Sequence, residues 1–162
     1  MTNLLLFPIL LPFFFAMVLM LFPKKVFAQR VGALLALGST LIASVILLFK
    51  VKADGIQAIT LGSWPAPFGI SMVSDMLSIF VVWYSFSSIG KERESFFYYP
   101  GILFMLTGVN GAFTTGDIFN MFVFFEVLLM SSYLLIVLGG DRVQLRESIK
   151  YILVNVISSA LF

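Results

Sequence analysis

No cysteine and no histidine occur among the 162 residues, and only 11% of the side chains are charged. Without cysteine there is no disulfide framework, no thiolate metal site and no cysteine nucleophile. Without histidine, most zinc and haem ligation is excluded, as is any triad built on an imidazole. The chain contains no Gly-x-Gly-x-x-Gly to hold NADH or flavin, and no cysteines for an iron–sulfur cluster. No cofactor, metal or catalytic residue is expected. A net charge of +2 without a basic patch gives no footprint for nucleic acid.

What the chain has instead is apolar surface. Hydrophobic residues make up 60% of it, and the mean hydropathy is +1.08. Soluble domains carry roughly a quarter charged residues, and a water-soluble fold of this size cannot hide so much apolar material in one core. A lipid bilayer must be part of the solvent. Uncharged stretches run over Leu4–Phe22, Val31–Phe49, Met76–Gly90 and Ser95–Gly116, then over Ile118–Gly140 with Glu126 inside, then over Tyr151–Phe162. A spanning helix needs ~20 apolar residues. The third stretch would rise only ~22 Å, and the sixth stops at Phe162. The first lacks the basic start of a secretory signal and is followed by further spans. Pro8 and Pro12 would kink it, which membrane helices tolerate when neighbours satisfy the freed carbonyls. The expectation is an all-α, polytopic transmembrane helix bundle of about five to six spans, one integral membrane unit over residues 1–162.

Basic residues set its orientation. The first, third and fifth connections hold Lys24, Lys25, Arg30, Lys91, Arg93, Arg142, Arg146 and Lys150, against Lys50 and Lys52 in the second and none in the fourth. Positive charge marks the cytoplasmic side, so the N-terminus is expected outside. The second connection, Lys50 to Asp75, is the only sizeable loop. Its turn-rich core Leu61–Ile70, with Trp64 at the interface, reads as an ordered loop on the outer face or a docking surface for another subunit. Gly139-Gly140 suits a left-handed helix end, and Asp141-Arg142-Val143-Gln144 has the form of a capping box for the next helix.

Glu126 is the residue to explain. It lies nine residues after Asp117, so ~14 Å from the outer end of its helix, and ~20 Å from the inner end at Gly139. An ionised carboxylate near mid-membrane costs ~3 kcal/mol or more, so such a group faces a partner or a wet cavity. Poised between desolvation and a nearby cation, it can load and unload a proton. The competing reading is a protonated, inert glutamate bonded to a neighbouring helix. On the last helix, Asn155, Ser158 and Ser159 share a face. They either support Glu126 by hydrogen bonds or water, or serve helix packing. Asn110, near Gly108 and Gly111, reads as close packing. Asp75 and Asp117 read as helix-terminal caps that reach water, and Lys91-Glu92-Arg93-Glu94 reads as a solvated turn.

Three stretches carry a resemblance: Leu61 to Ile70, Tyr84-Ser85-Phe86, and above all Gly108-Val109-Asn110-Gly111-Ala112-Phe113-Thr114-Thr115-Gly116-Asp117 through Phe124-Phe125-Glu126. With Ser132-Tyr133, Gly139-Gly140 and Lys150 to Val156, they resemble the D subunits of multisubunit Mrp-type cation/proton antiporters, a family similar to the proton-pumping membrane subunits of complex I. The resemblance implies residence in the bacterial cell membrane as a multi-pass protein, other antiporter subunits as partners, and exchange of cytoplasmic Na⁺ (or Li⁺) for external H⁺. It makes Glu126 the proton-path carboxylate. It assigns residues 1–114 to N-terminal helices and an outer loop, and 115–162 to the start of the proton-translocating module. Two departures follow. The chain stops in helix six, before the family's lysine partner, so alone it is expected to be inactive in transport. The third segment also looks shortened between Ser78 and Tyr84. A complex I-type subunit and an assembly-only membrane element remain as alternatives, and the Trp64-Pro65-Ala66-Pro67 loop favours the antiporter branch.

Overall fold

The computed structural model describes residues 6–54, 68–90, 94 and 97–161. Among them it contains six α-helices and no strand: α1 (Phe7–Met20), α2 (Val26–Asp54), α3 (Phe68–Ser88), α4 (Tyr98–Thr114), α5 (Ile118–Val137) and α6 (Arg142–Ala160). The all-α expectation holds. By length and composition two helices can cross a membrane, α2 over Val26–Lys50 and α5 over Ile118–Val137, and α1 is a shorter apolar helix.

The third segment is longer than expected. Helix α3 begins at Phe68, so its 21 residues rise ~31 Å rather than ~22 Å. Helix formation runs back through Asp75 because one carboxylate bonded inside a bundle does not interrupt the backbone ladder. The same extension places Phe68, Gly69 and Ile70 in helix rather than loop, while Leu61 to Pro67 lie outside the described residues.

Helices α1 to α4 pack around a core of Ala16, Leu19, Ala33, Ala36, Leu37, Val82, Tyr99, Ile102, Leu103 and Leu106. Small side chains let the backbones come close. Polar groups are also inside: Thr40, Ser44, Asp75, Ser85, Thr107 and Asn110 are buried, whereas Phe14, Leu35, Phe49, Phe80, Trp83 and Phe119 are exposed. A water-soluble protein distributes these classes the other way, so the helices fit a membrane protein. Three of the buried hydroxyls bond back to their own helices, Thr40 to the Leu37 carbonyl, Ser85 to Val82 and Thr107 to Leu103.

The proline expectation resolves at one atom. Pro12 has no N–H, so the carbonyl four residues earlier, that of Pro8, loses its helical donor. Asn110 Nδ2 on α4 donates to that carbonyl at 3.2 Å. A neighbouring helix thus supplies the missing bond.

At the other end of the bundle, Glu94 is not in a solvated turn. It is 1% exposed and is held by Arg30 of α2 through a two-armed pair, Nη2 to Oε2 at 2.8 Å and Nε to Oε1. Tyr99 also donates to it. Arg30 further donates to the Phe86 carbonyl and lies over the Phe86 ring. These bonds hold the Glu94 carboxyl below its ordinary range, the hydrogen bond from Arg30 contributing most. A buried carboxylate beside α4 needed a cation, and Arg30, expected in a loop, supplies it from the first turns of α2. Lys91, Glu92 and Arg93 lie outside the described residues.

The α5–α6 turn is formed as expected at its glycines. Gly139 and Gly140 have φ of 122° and 69°, values that side chains rarely allow. The capping box is not formed. Asp141 precedes the helix but its side chain makes no capping bond, and Gln144 Nε2 instead donates back to the carbonyls of Ile136 in α5 and of Leu138 just after it. The tight turn brings those carbonyls, left without helical donors, within reach of Gln144.

Candidate functional site

Helix α5 is placed by its start and by one face. Asp117 caps it, Oδ2 accepting from the Asn120 N–H at 3.2 Å, as expected. Glycines on α4 then fix its rotation. A Cβ on Gly101 would meet Leu135 at 3.0 Å, one on Gly108 the Leu128 backbone nitrogen at 2.8 Å, and one on Gly111 would overlap the Phe124 ring. Partner numbers fall as glycine numbers rise, the register of an antiparallel pair. The helices approach closely at Gly108 and Gly111, on either side of Asn110.

That seam turns Glu126 away from Gly108 and toward α1. It lies eight residues into α5, ~12 Å from its start, and is half-buried. It lines an open groove of about 490 Å³ with Phe13 of α1, Phe104 of α4, and Val123, Val127, Met130, Ser131 and Leu134. Phe13 and Phe104 close one wall edge to face, with ring centres 5.6 Å apart. Ser131 donates to the Val127 carbonyl. Among the described residues, no hydrogen bond or ion pair reaches the Glu126 carboxylate.

The proposed supports do not join it. Asn155 donates to the Tyr151 carbonyl, Ser158 to Val154 and Ser159 to Val156, all within α6. The α5–α6 contact is made near the turn, where the rings of Tyr133 and Tyr151 meet edge to face at 5.8 Å.

A second carboxylate escaped the sequence. Asp75 is neither a cap nor in water: it is 0% exposed and lies seven residues inside α3. Its Oδ2 accepts from Ser44 Oγ of α2 at 2.5 Å, and its Oδ1 accepts from Asn110 Nδ2 of α4 at 2.8 Å. Asn110 Oδ1 in turn accepts from Ser74 Oγ at 2.9 Å. Asn110, expected only to pack, thus links α1, α3 and α4. The signal available was an acid inside a helical apolar pattern, the same signal as Glu126. Nearby turn formers disguised it.

No protein-family model matches the chain. Among curated proteins, the D subunit of the Na(+)/H(+) antiporter of Alkalihalophilus pseudofirmus (strain OF4) is 46% identical over 173 residues, covering 100% of this chain and 35% of the relative. The D subunit of the Na(+)/H(+) antiporter of Bacillus subtilis (strain 168) is also 46% identical, with the same coverage. The chain therefore spans about a third of the length of the curated relatives it matches. The aligned length exceeds the 162 residues by eleven, so these relatives carry residues that this chain lacks. The resemblance drawn from the motifs holds: over its whole length the chain is similar to the D subunits of Na(+)/H(+) antiporters. These names point to a transporter component and to a membrane.

Proposed function

We propose that these residues form the opening helices of an Mrp-type antiporter D subunit, multi-pass in the bacterial cell membrane with the N-terminus outside. Within a complex of several subunits, the exchange is of cytoplasmic Na⁺ (or Li⁺) for external H⁺, and residues 115–162 begin the translocating module. Glu126 is the proton relay. Asn155, Ser158 and Ser159 support it through water or hydrogen bonds once their side chains turn from their own helix.

The observation that carries this reading is the Glu126 carboxylate on an apolar groove with no bonded partner among the described residues. An ionised carboxylate against apolar walls in lipid is costly, and taking up a proton removes that cost. A group that gains from both states of its surroundings, wet and dry, is suited to passing a proton. The groove is open, so whatever covers it sets when the proton leaves.

The test is labelling by a hydrophobic carbodiimide, which attacks protonated carboxyls in apolar surroundings. Mapped by mass spectrometry, Glu126 is expected to be modified, more at low pH than at high pH. Labelling of Glu126 to the same extent at every pH would favour the protonated, inert reading, and no labelling at any pH, with the reagent reaching neighbouring lipid-facing sites, would overturn the relay.

A further inference from the structure

We infer that Asp75, with Ser44 and Asn110, forms a second proton-binding site in this chain, separate from Glu126. It rests on the membrane placement proposed above and not on the role of Glu126.

The carboxyl is fully buried where four helices meet, and its two hydrogen bonds come from neutral donors, Ser44 and Asn110. Helix α1 has no ionisable residue. On α2, Arg30 is fourteen residues from Ser44, ~21 Å along the helix, and is bonded to Glu94; Lys50 is exposed, and Lys52 and Asp54 follow Ser44 by eight and ten residues, ~12 and ~15 Å along the helix. On α4 the ionisable groups are Tyr98 and Tyr99, at the opposite end from Asn110. On α3, Tyr84 is exposed. A lone negative charge in such a place needs a compensating positive one.

The geometry favours a proton over a metal cation. Both carboxylate oxygens are already within direct hydrogen-bond distance of protein donors. A hard cation takes about six oxygens around it, whereas the Asn110 amide presents N–H to Asp75. A proton needs no room. With the carboxyl ionised, Oδ2 accepts the Ser44 O–H and Oδ1 the Asn110 N–H. With a proton taken from water onto Oδ2, that O–H donates to Ser44 Oγ. The serine hydrogen then turns to a carbonyl of its own helix, as Ser39 and Thr40 already do. Oδ2 thus keeps Ser44 as its partner in both states. Asp75 lies seven residues from the start of α3 and Asn110 four from the end of α4, both ~6–10 Å from the same end of the bundle. The proton exchanges with water there.

The experiment is pH-difference infrared spectroscopy of the chain in lipid, for the unmodified protein, Asp75→Asn, Ser44→Ala and Glu126→Gln. The expected result is a titrating carboxylic-acid C=O band that Asp75→Asn removes and Glu126→Gln leaves in place. Ser44→Ala should shift its frequency and move its midpoint by about one pH unit, a tenfold change in proton affinity. A spectrum unchanged in a folded Asp75→Asn protein overturns the site. Should that variant not fold, an unshifted band in Ser44→Ala does the same. A midpoint that tracks Na⁺ concentration assigns the site to Na⁺ and also overturns it. Because Glu126→Gln is read separately, loss of the Glu126 relay leaves this outcome unaffected.

Discussion

The two halves of the molecule treat polar groups in opposite ways. In α1 to α4, Asp75 bonds to Ser44 and Asn110, Asn110 to the Pro8 carbonyl, and Glu94 to Arg30 and Tyr99. Each bond crosses from one helix or connection to another. In α5 and α6, Glu126 faces an open apolar groove, and Asn155, Ser158 and Ser159 bond only within their own helix. The first half is bonded together from within; the second leaves its mid-helix acid on an open groove. Polar contacts that cross helices hold a bundle, and the Glu126 carboxylate makes none among the described residues.

That contrast can be broken most severely at Arg30. Arg30→Ala leaves Glu94 buried without its cation and should destabilise the bundle by about 3 kcal/mol, the low end for a broken buried pair because Arg30 stays one-third exposed. Glu94→Gln added to it should restore much of the loss, measured as thermal unfolding in detergent. The same pair predicts a pH response. The Glu94 carboxyl is held below its ordinary value of 4.5, so its contribution is present above that pH and lost as pH falls through the lower folded value. Thermal stability should be unaffected by this pair from neutral pH down to about 5 and fall below about 4.

Next in size is the seam between the halves. Gly108→Ala places a methyl 2.8 Å from the Leu128 backbone nitrogen, which no rotamer change can relieve, and should cost about 2 kcal/mol. The expected sign is earlier proteolysis of the α4–α5 connection, with the Arg30–Glu94 end still intact. Asp117→Ala removes a formed cap and should cost about 1 kcal/mol. Smallest of all, Ser158→Ala and Ser159→Ala should change thermal stability by less than about 0.5 kcal/mol, since each hydroxyl is bonded to its own helix. A larger loss would mean that α6 is held through those hydroxyls after all.

Local chemistry was legible in the sequence and distant pairing was not. Asp117 as a cap, the two glycines of the α5–α6 turn and the acid in mid-α5 each follow from a few adjacent residues. So does the need for a donor to the Pro8 carbonyl; that Asn110 supplies it does not, because the two are 102 residues apart. Asp75 reads as a cap for a related reason. Turn-forming residues before it imply a loop, and only Ser44 and Asn110, 31 and 35 residues away in sequence, make its burial in a helix tolerable. Glu94 reads as solvated among neighbouring charges until Arg30 is brought to it. In Gln144 a correct helix start concealed a different partner.

The most direct measurement is Na⁺-dependent proton flux in everted vesicles from antiporter-deficient cells, comparing the complete antiporter carrying Glu126 with its Glu126→Gln form at matched assembly. Loss of flux with all subunits still co-purifying is the result predicted for a proton relay. Undiminished flux would contradict that role and leave Glu126 a structural residue of α5.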